Sequence, residues 1–344
     1  MSPLGFALPK TCHSREGGNP DPGALVTRRS RLLYVFGLGP RRRGDDKIIL
    51  AFLIGVTALL ASHAAHAELV KIPAPHIGEN KTLRAQWFTP DAKIATGAAA
   101  ILLHGCGGLG AKRQLNARHA AAKDWLLERG VAVVFPESFT SRSFEEVCTV
   151  KMSARTIRQI DRVEDVMATR KWLDAQPGVD AKKVVLWGWS NGGSTVLNAL
   201  THRVADEFPA ELKFAETIAF YPGCSPQARN TSLQKVSSPL TVLMGEADDW
   251  TPAAPCETFV ARLKKNDQQA TITLYPGAYH DFDNPAGKLR VRADVPNGVV
   301  AGKGVTVGPD PKAREDAMAR IDALLRKRGL VVAPILATTP ATKP

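Results

Sequence analysis

The stretch Gly188-Trp189-Ser190-Asn191-Gly192-Gly193 leaves a chain few ways to fold around it. It follows the apolar run Val184-Val185-Leu186-Trp187 and leads into a helix-forming segment, 192–200. A serine spaced G-x-S-x-G between a buried strand and a helix belongs on a tight, strained strand-to-helix turn, where side chains at the flanking positions would clash. Such a turn lifts a hydroxyl above the sheet and sets it at a helix N-terminus. Ser190 could serve merely as a helix cap, but the strand before it and the helix after it point to an exposed nucleophile.

The rest of the chain supplies the sheet that such a turn requires. Short apolar runs at 81–88, 98–103, 131–135, 184–187, 217–220, 240–244 and 271–275 predict strands. Between them, 116–129, 155–176, 192–200 and 254–264 predict helices, with a closing helix at 312–326. In 155–176 the apolar residues Ile157, Ile160, Val163, Val166, Met167 and Leu173 fall at helical spacing. Strand–helix alternation with strands apolar on both faces predicts an α/β fold, a mainly parallel sheet with helices on both sides. No internal repeat or linker-like break divides these residues, so one domain over 68–328 is expected, with a frayed Thr/Pro/Ala-rich tail at 329–344. The segments 136–153 and 284–311 read as insertions.

Residues 1–67 read differently. The apolar run 48–61 has 14 residues, too few to span a bilayer. It is preceded by Arg41-Arg42-Arg43 and Lys47 and followed by Ala65-His66-Ala67, the pattern of a secretory signal peptide cleaved after Ala67. Upstream, Cys12-His13-Ser14-Arg15-Glu16-Gly17-Gly18-Asn19-Pro20 resembles a translated intergenic repeat, so the true start is expected further downstream. This bears on charge. The 344 residues carry 45 Lys+Arg and 33 Asp+Glu, net +12, which invites a nucleic-acid reading. Residues 1–67 hold nine of the bases and four of the acids, leaving +7. The remaining basic residues are scattered, and Arg326-Lys327-Arg328 ends a helix, where cations meet the macrodipole favourably. No basic stripe with interleaved aromatics is present, so neither a nucleic-acid partner nor a stable membrane anchor is expected; the exported product is expected in the periplasm or outside the cell.

A serine hydroxyl needs a base. After a nucleophile elbow the partners follow in the order Ser, Asp/Glu, His. Only His202 and His280 follow Ser190. His202 comes before any strand that could present an acid, so His280, just past the strand 271–275, is the candidate base. The acid should lie on the loop after strand 240–244, where Glu246, Asp248 and Asp249 compete. His104-Gly105-Cys106-Gly107-Gly108 follows strand 98–103, and a glycine-rich turn there can aim a backbone N–H at a developing oxyanion. The N–H groups of Cys106 and Asn191 are assigned to that hole, with His104 as a loop brace. Arg142, on the insertion, is a candidate for binding a substrate carboxylate, and Trp189, beside the nucleophile, a candidate substrate contact.

Together these elements resemble the dienelactone hydrolase family of α/β-hydrolases over about 98–328. The resemblance rests on the HGCGG turn, Gly188–Gly193, Phe220-Tyr221-Pro222-Gly223-Cys224, the G-x-x-D-x-x-x-P pattern of 245–252 and the G-x-x-H-x-F pattern of 277–282. It implies Ser190 as nucleophile, His280 as base and Asp248, over Asp249, as acid. The family's name-giving enzymes use cysteine where this chain has Ser190, which shifts the expectation from lactones toward carboxylic esters in general. The implied substrate is a small-molecule ester or lactone, and the implied chemistry needs no metal or organic cofactor. The same triad could serve an acyltransferase or a peptidase. A non-catalytic interaction scaffold, the remaining alternative, usually lacks a triad residue. Four cysteines lie beyond residue 67, with no zinc-like spacing. In an exported chain they predict disulfides, with Cys224–Cys256 the pairing favoured and Cys148–Cys224 its rival.

Overall fold

The computed structural model describes residues 67–333, apart from 111 and 113. The expected signal peptide, the upstream segment and most of the expected tail lie outside the described residues. The chain builds an eight-stranded sheet from β1 (Ala67–Pro73), β2 (Thr82–Phe88), β3 (Ala99–Leu103), β4 (Ala132–Pro136), β5 (Val184–Trp189), β6 (Glu216–Phe220), β7 (Leu240–Gly245) and β8 (Ala270–Tyr275). Their order is β1-β2-β4-β3-β5-β6-β7-β8. From β4 to β8 every neighbouring pair is parallel; β1 and β2 form an antiparallel flap at one edge.

Composition explains the order. Every residue of β3, β4, β5 and β6 is buried, which requires cover on both faces. That cover comes from α1 (Ala117–Leu127), α2 (Arg162–Asp174), α3 (Asn191–Thr201), the short α4 (Ser225–Arg229), α5 (Ala253–Lys265) and α6 (Pro311–Lys327). The edge strand β8 alternates only weakly, and its middle is half exposed. In the centre Trp187 stacks on Phe220, their ring centres 5.8 Å apart, and Trp189 lies 5.3 Å from Trp187. The mainly parallel sheet is the one the alternation of runs predicts, and the fold is that of an α/β-hydrolase, as the family resemblance implies.

Two departures from expectation have physical causes. Strand β1 has no run long enough to announce it; it exists by pairing with β2, which buries Ile72 and leaves Leu69 exposed. Helix α2 begins at Arg162 rather than 155. Ile157 does not join the helical stripe. It packs instead with Cys106, Phe139, Val147 and Cys148, while Ile160 is exposed. The Asp161 carboxylate accepts from the Arg158 N–H at 2.8 Å, closing a turn that starts the helix afresh. The expected insertion 284–311 forms a two-stranded ribbon of β9 (Arg290–Arg292) and β10 (Val305–Val307).

The cysteines form two disulfides, Cys106–Cys148 and Cys224–Cys256. The second is the favoured pairing. The rival, Cys148–Cys224, is excluded, because Cys148 is committed to the glycine-rich turn after β3. Among the described residues no helix is long and apolar enough to cross a membrane.

Candidate active site

The loops at the carboxyl ends of β3, β5, β7 and β8 converge on one place, where α/β sheets present their chemistry. Ser190 sits between β5 and α3 with φ 52° and ψ −113°, a conformation that non-glycine residues adopt at a cost. Its neighbours hold it there. The Ser190 N–H donates to Phe220 O at 2.9 Å, and its carbonyl accepts from Ser194 N at 2.8 Å. The glycines are sterically obligatory. A Cβ on Gly192 would lie 2.1 Å from Leu103 O, and one on Gly188 2.4 Å from Gly192 O. The elbow therefore rests directly against the end of β3. Gly105 stands over Ser190, its hypothetical Cβ 3.5 Å from Ser190 Cβ.

His280 follows β8 on a loop that turns with positive φ at Gly277 and Asp281. It is fixed from two sides. The Gly308 N–H donates to His280 O at 3.0 Å, so the 284–311 ribbon seats the loop. The ring lies between Tyr221 and Trp250, 4.4 and 4.6 Å away. His280 Nδ1 is 2.7 Å from Asp248 Oδ2, and both side chains are buried. Nε2 has no hydrogen-bond partner among the described residues, so it is the ring nitrogen left for other work.

Asp248 is well satisfied for a buried carboxylate. Its Oδ1 accepts from Trp250 N and Thr251 N, both at 2.8 Å. The Thr251 hydroxyl lies 3.0 Å from Asp248 Oδ2 and 3.0 Å from Tyr221 O, and 3.1 Å from His280 Nδ1. The competing acids are placed elsewhere. Asp249 accepts from Thr306 N and Thr306 Oγ1, both at 2.7 Å, anchoring β10. Glu246 is exposed.

Cys106 and Asn191 are the residues expected at the oxyanion hole. Asn191 is the first residue of α3, so its N–H has no acceptor one turn back. Cys106 O accepts from Val147 N at 2.8 Å, and the Cys106–Cys148 disulfide ties the same turn to the 137–153 segment. His104 is a brace, as expected. Its Nδ1 is 2.8 Å from Gly105 O and its ring packs 4.7 Å from Phe139. Burial and the nearby Arg162 cation hold His104 well below the usual imidazole range, so it stays neutral.

Two expectations need correction. Arg142 makes a two-pronged ion pair with Asp165, at 2.8 and 2.9 Å, and donates to Ser138 O. Its guanidinium serves the buried Asp165 rather than a substrate. Trp189 is wholly buried, and its indole N–H donates to Asp283 at 2.7 Å, beneath the site rather than in it. Asp283 also accepts from the Tyr221 hydroxyl, which in turn accepts from Arg118 at 2.8 Å. Arg118 pairs with Asp281 as well, so one buried network underlies the His280 loop.

Two cavities meet at Ser190. The smaller, about 130 Å³, is bordered by Cys106, Ser190, Trp250, His280, Arg290 and Arg292. The larger, about 480 Å³, runs between Ser190, Asn198, Arg155, Arg158, Arg229 and Trp250. The positive groups facing that space are thus Arg155, Arg158 and Arg229. No sequence motif singled them out, because they come from two distant segments, the loop before α2 and the end of α4. Thr251 and Tyr221 were also missed; the Phe-Tyr-Pro-Gly-Cys segment marked the place of Tyr221 without marking its role. Among the described residues no group of three or more His, Cys, Asp or Glu is placed to hold a metal.

Comparison with known proteins bears on the fold and the family. Among solved structures, esterase 2 of Thermogutta terrifontis, phosphoramylated by tabun, superposes with a TM-score of 0.54 at 16% identity, covering 78% of this chain and 96% of that one. A structure from Klebsiella pneumoniae, provisionally named a dienelactone hydrolase, gives 0.53 at 17% identity, with 76% and 99% covered. A protein of Saccharolobus solfataricus, provisionally named a carboxymethylenebutenolidase, is 27% identical over 165 residues, 48% of this chain. The chain spans about half, 51%, of the length of that curated relative. The sequence model of the dienelactone hydrolase family matches residues 83–328. The chain therefore belongs to the dienelactone hydrolase family.

Proposed function

We propose that the protein is an exported serine hydrolase that cleaves a carboxylic ester through an acyl-enzyme. One observation carries the reading: Ser190, raised on its strained elbow, shares a cavity with His280, whose far nitrogen is fixed 2.7 Å from the buried Asp248. In this reading His280 Nε2 takes the proton from Ser190 Oγ as Oγ attacks the ester carbonyl. Asp248 holds the Nδ1–H tautomer and stabilises the imidazolium without taking the proton. The carbonyl oxygen becomes an oxyanion, received by the N–H groups of Cys106 and Asn191. The intermediate collapses as the C–O bond to the alkoxy group breaks and His280 protonates the leaving alcohol. Water, deprotonated by His280, then attacks the acyl-enzyme, releasing the acid and restoring Ser190.

The about 480 Å³ cavity accommodates one substituent of a small ester. Its three guanidinium groups favour an ester with a polar or acidic arm. Export is supported by the signal-like run before Glu68 and by the two disulfides, which persist in oxidising compartments. The Thermogutta esterase is described as phosphoramylated by tabun, and the same kind of trapping is expected here. The test is labelling with a fluorophosphonate alongside hydrolysis of p-nitrophenyl esters, comparing wild type with Ser190→Ala. Label and turnover should both depend on Ser190; equal labelling or equal turnover by the variant would remove the reading. Adding acceptor alcohols and amide substrates separates hydrolysis from acyl transfer and peptide cleavage.

A further inference from the structure

Among the described residues, Arg162 is the largest charged side chain wholly shut off from solvent. It lies in the first turn of α2, and the catalytic scheme above does not use it. Burying a guanidinium is costly unless its hydrogen bonds are well directed. Arg162 Nη1 donates to two acceptors, His104 O at 3.0 Å and Asn191 Oδ1 at 2.6 Å. Nε and Nη2 find no partner among the described residues. The choice of acceptors is what matters. His104 opens the glycine-rich turn that carries the Cys106 N–H, and Asn191 carries the other N–H expected to receive the oxyanion. One guanidinium therefore joins the two backbone segments that must lie a fixed distance apart.

The surroundings reinforce the junction. The guanidinium lies 5.1 Å over the Phe139 ring, and Phe139 packs 4.7 Å from the His104 ring. At this same contact the elbow presses on β3, a Gly192 Cβ having no room beside Leu103 O and His104 O. Burial pulls the Arg162 pKa down to about 10, partly offset by Asp165, so the side chain is cationic wherever a hydrolase of this kind would work. Asp165 is held ionised despite its burial by hydrogen bonds from His76 and Arg142.

We infer that Arg162 is a positioning residue that sets the separation and aim of the Cys106 and Asn191 N–H groups, and so governs kcat without touching substrate. The inference rests on the esterase reading above. A misplacement of about 1 Å in catalytic groups costs about 10²-fold, and loss of one oxyanion donor costs about 10²- to 10³-fold.

The experiment measures kcat and KM for p-nitrophenyl acetate, with thermal melting, for wild type, Arg162→Met, Arg162→Lys and Asn191→Ala. Arg162→Met should lower kcat by about 10²-fold and leave KM within about threefold. Arg162→Lys, which keeps the charge and one donor, should recover at least about tenfold of that loss. Asn191→Ala cuts the same link from its other end without burying a new group, and should lower kcat at constant KM even if Arg162→Met fails to fold. The inference is overturned if folded Arg162→Met keeps kcat within about threefold, if the effect falls on KM alone, or if Asn191→Ala leaves kcat unchanged. Absence of Ser190-dependent turnover in wild type would instead defeat the esterase reading itself, a distinguishable result.

Discussion

On the proposed reading, replacing Asp248 by Asn changes one atom at a buried site and should nearly abolish ester hydrolysis. The amide oxygen can still accept from Trp250 N and Thr251 N, which now bind Oδ1 at 2.8 Å, so the loop after β7 should survive. The amide nitrogen must then occupy the place of Oδ2, 2.7 Å from His280 Nδ1. It is a donor, so the ring must turn its lone pair toward it and carry its proton on Nε2, where it cannot accept from Ser190. The Tyr221 and Trp250 rings, 4.4 and 4.6 Å away, block a flip of the imidazole that would rescue it. Two losses combine. An ion pair at about 4 Å and an effective dielectric of about 20 is worth about 4 kcal/mol, or about 10³-fold in rate. Forcing the wrong tautomer away from a charged acceptor costs roughly a further 1.5 kcal/mol, about another factor of ten. The expected fall in kcat is thus about 10⁴-fold, with the melting temperature little changed. Stopped-flow hydrolysis of a p-nitrophenyl ester with parallel calorimetry measures both. Retention of more than about a tenth of kcat, or a larger loss from Asp249→Asn at equal stability, would refute the reasoning.

Other perturbations test the frame. Gly192→Ala places a methyl 2.1 Å from Leu103 O, so it should cost about 4 kcal/mol or more and reduce soluble yield; a melting curve unchanged from wild type would contradict this. The Cys106–Cys148 bridge closes 42 residues, so Cys148→Ser should lower stability by about 4 kcal/mol in urea titrations, and reductant, which opens Cys224–Cys256 as well, should cost wild type at least as much; a loss under about 1 kcal/mol in Cys148→Ser would mean the bridge is incidental. His119 is buried, its pKa brought down to about 3 chiefly by desolvation, aided by Arg118. The unfolded chain binds that proton below about pH 6.5 and the folded chain does not, so His119 favours folding above that pH and the benefit is lost as pH falls from about 6.5 to about 3. His119→Gln should flatten acid unfolding there by about 1.4 kcal/mol per pH unit; an unaltered slope counts against a neutral buried ring.

The frame of the candidate site was legible because each part of it is local. Val184–Gly193 carries its strand, its glycines and the start of its helix within ten residues, and steric necessity wrote them there. The order of the chain then left His280 as the only sensible partner. What could not be read depends on contacts across the fold. Arg142 looked available because its partner, Asp165, lies 23 positions on, in another element. Arg162 looked like any helix residue, since its acceptors His104 and Asn191 are 58 and 29 positions away. Ile157 fitted the helical stripe by spacing alone, and the disulfide cluster claimed it. Strand β1 has no signal apart from its pairing with β2.

The crowding at the elbow has an evolutionary consequence. With Gly188, Gly192 and the end of β3 in contact, Ser190 cannot be shifted by small substitutions without losing the turn. The large cavity, by contrast, is walled by Met152, Arg155, Arg158, Arg229, Trp250 and Asn297, all outside the sheet. Lineages descended from such a chain can therefore vary the cavity while inheriting the elbow intact: insertions and deletions between strands are free to vary, and the few residues packed around Ser190 are not.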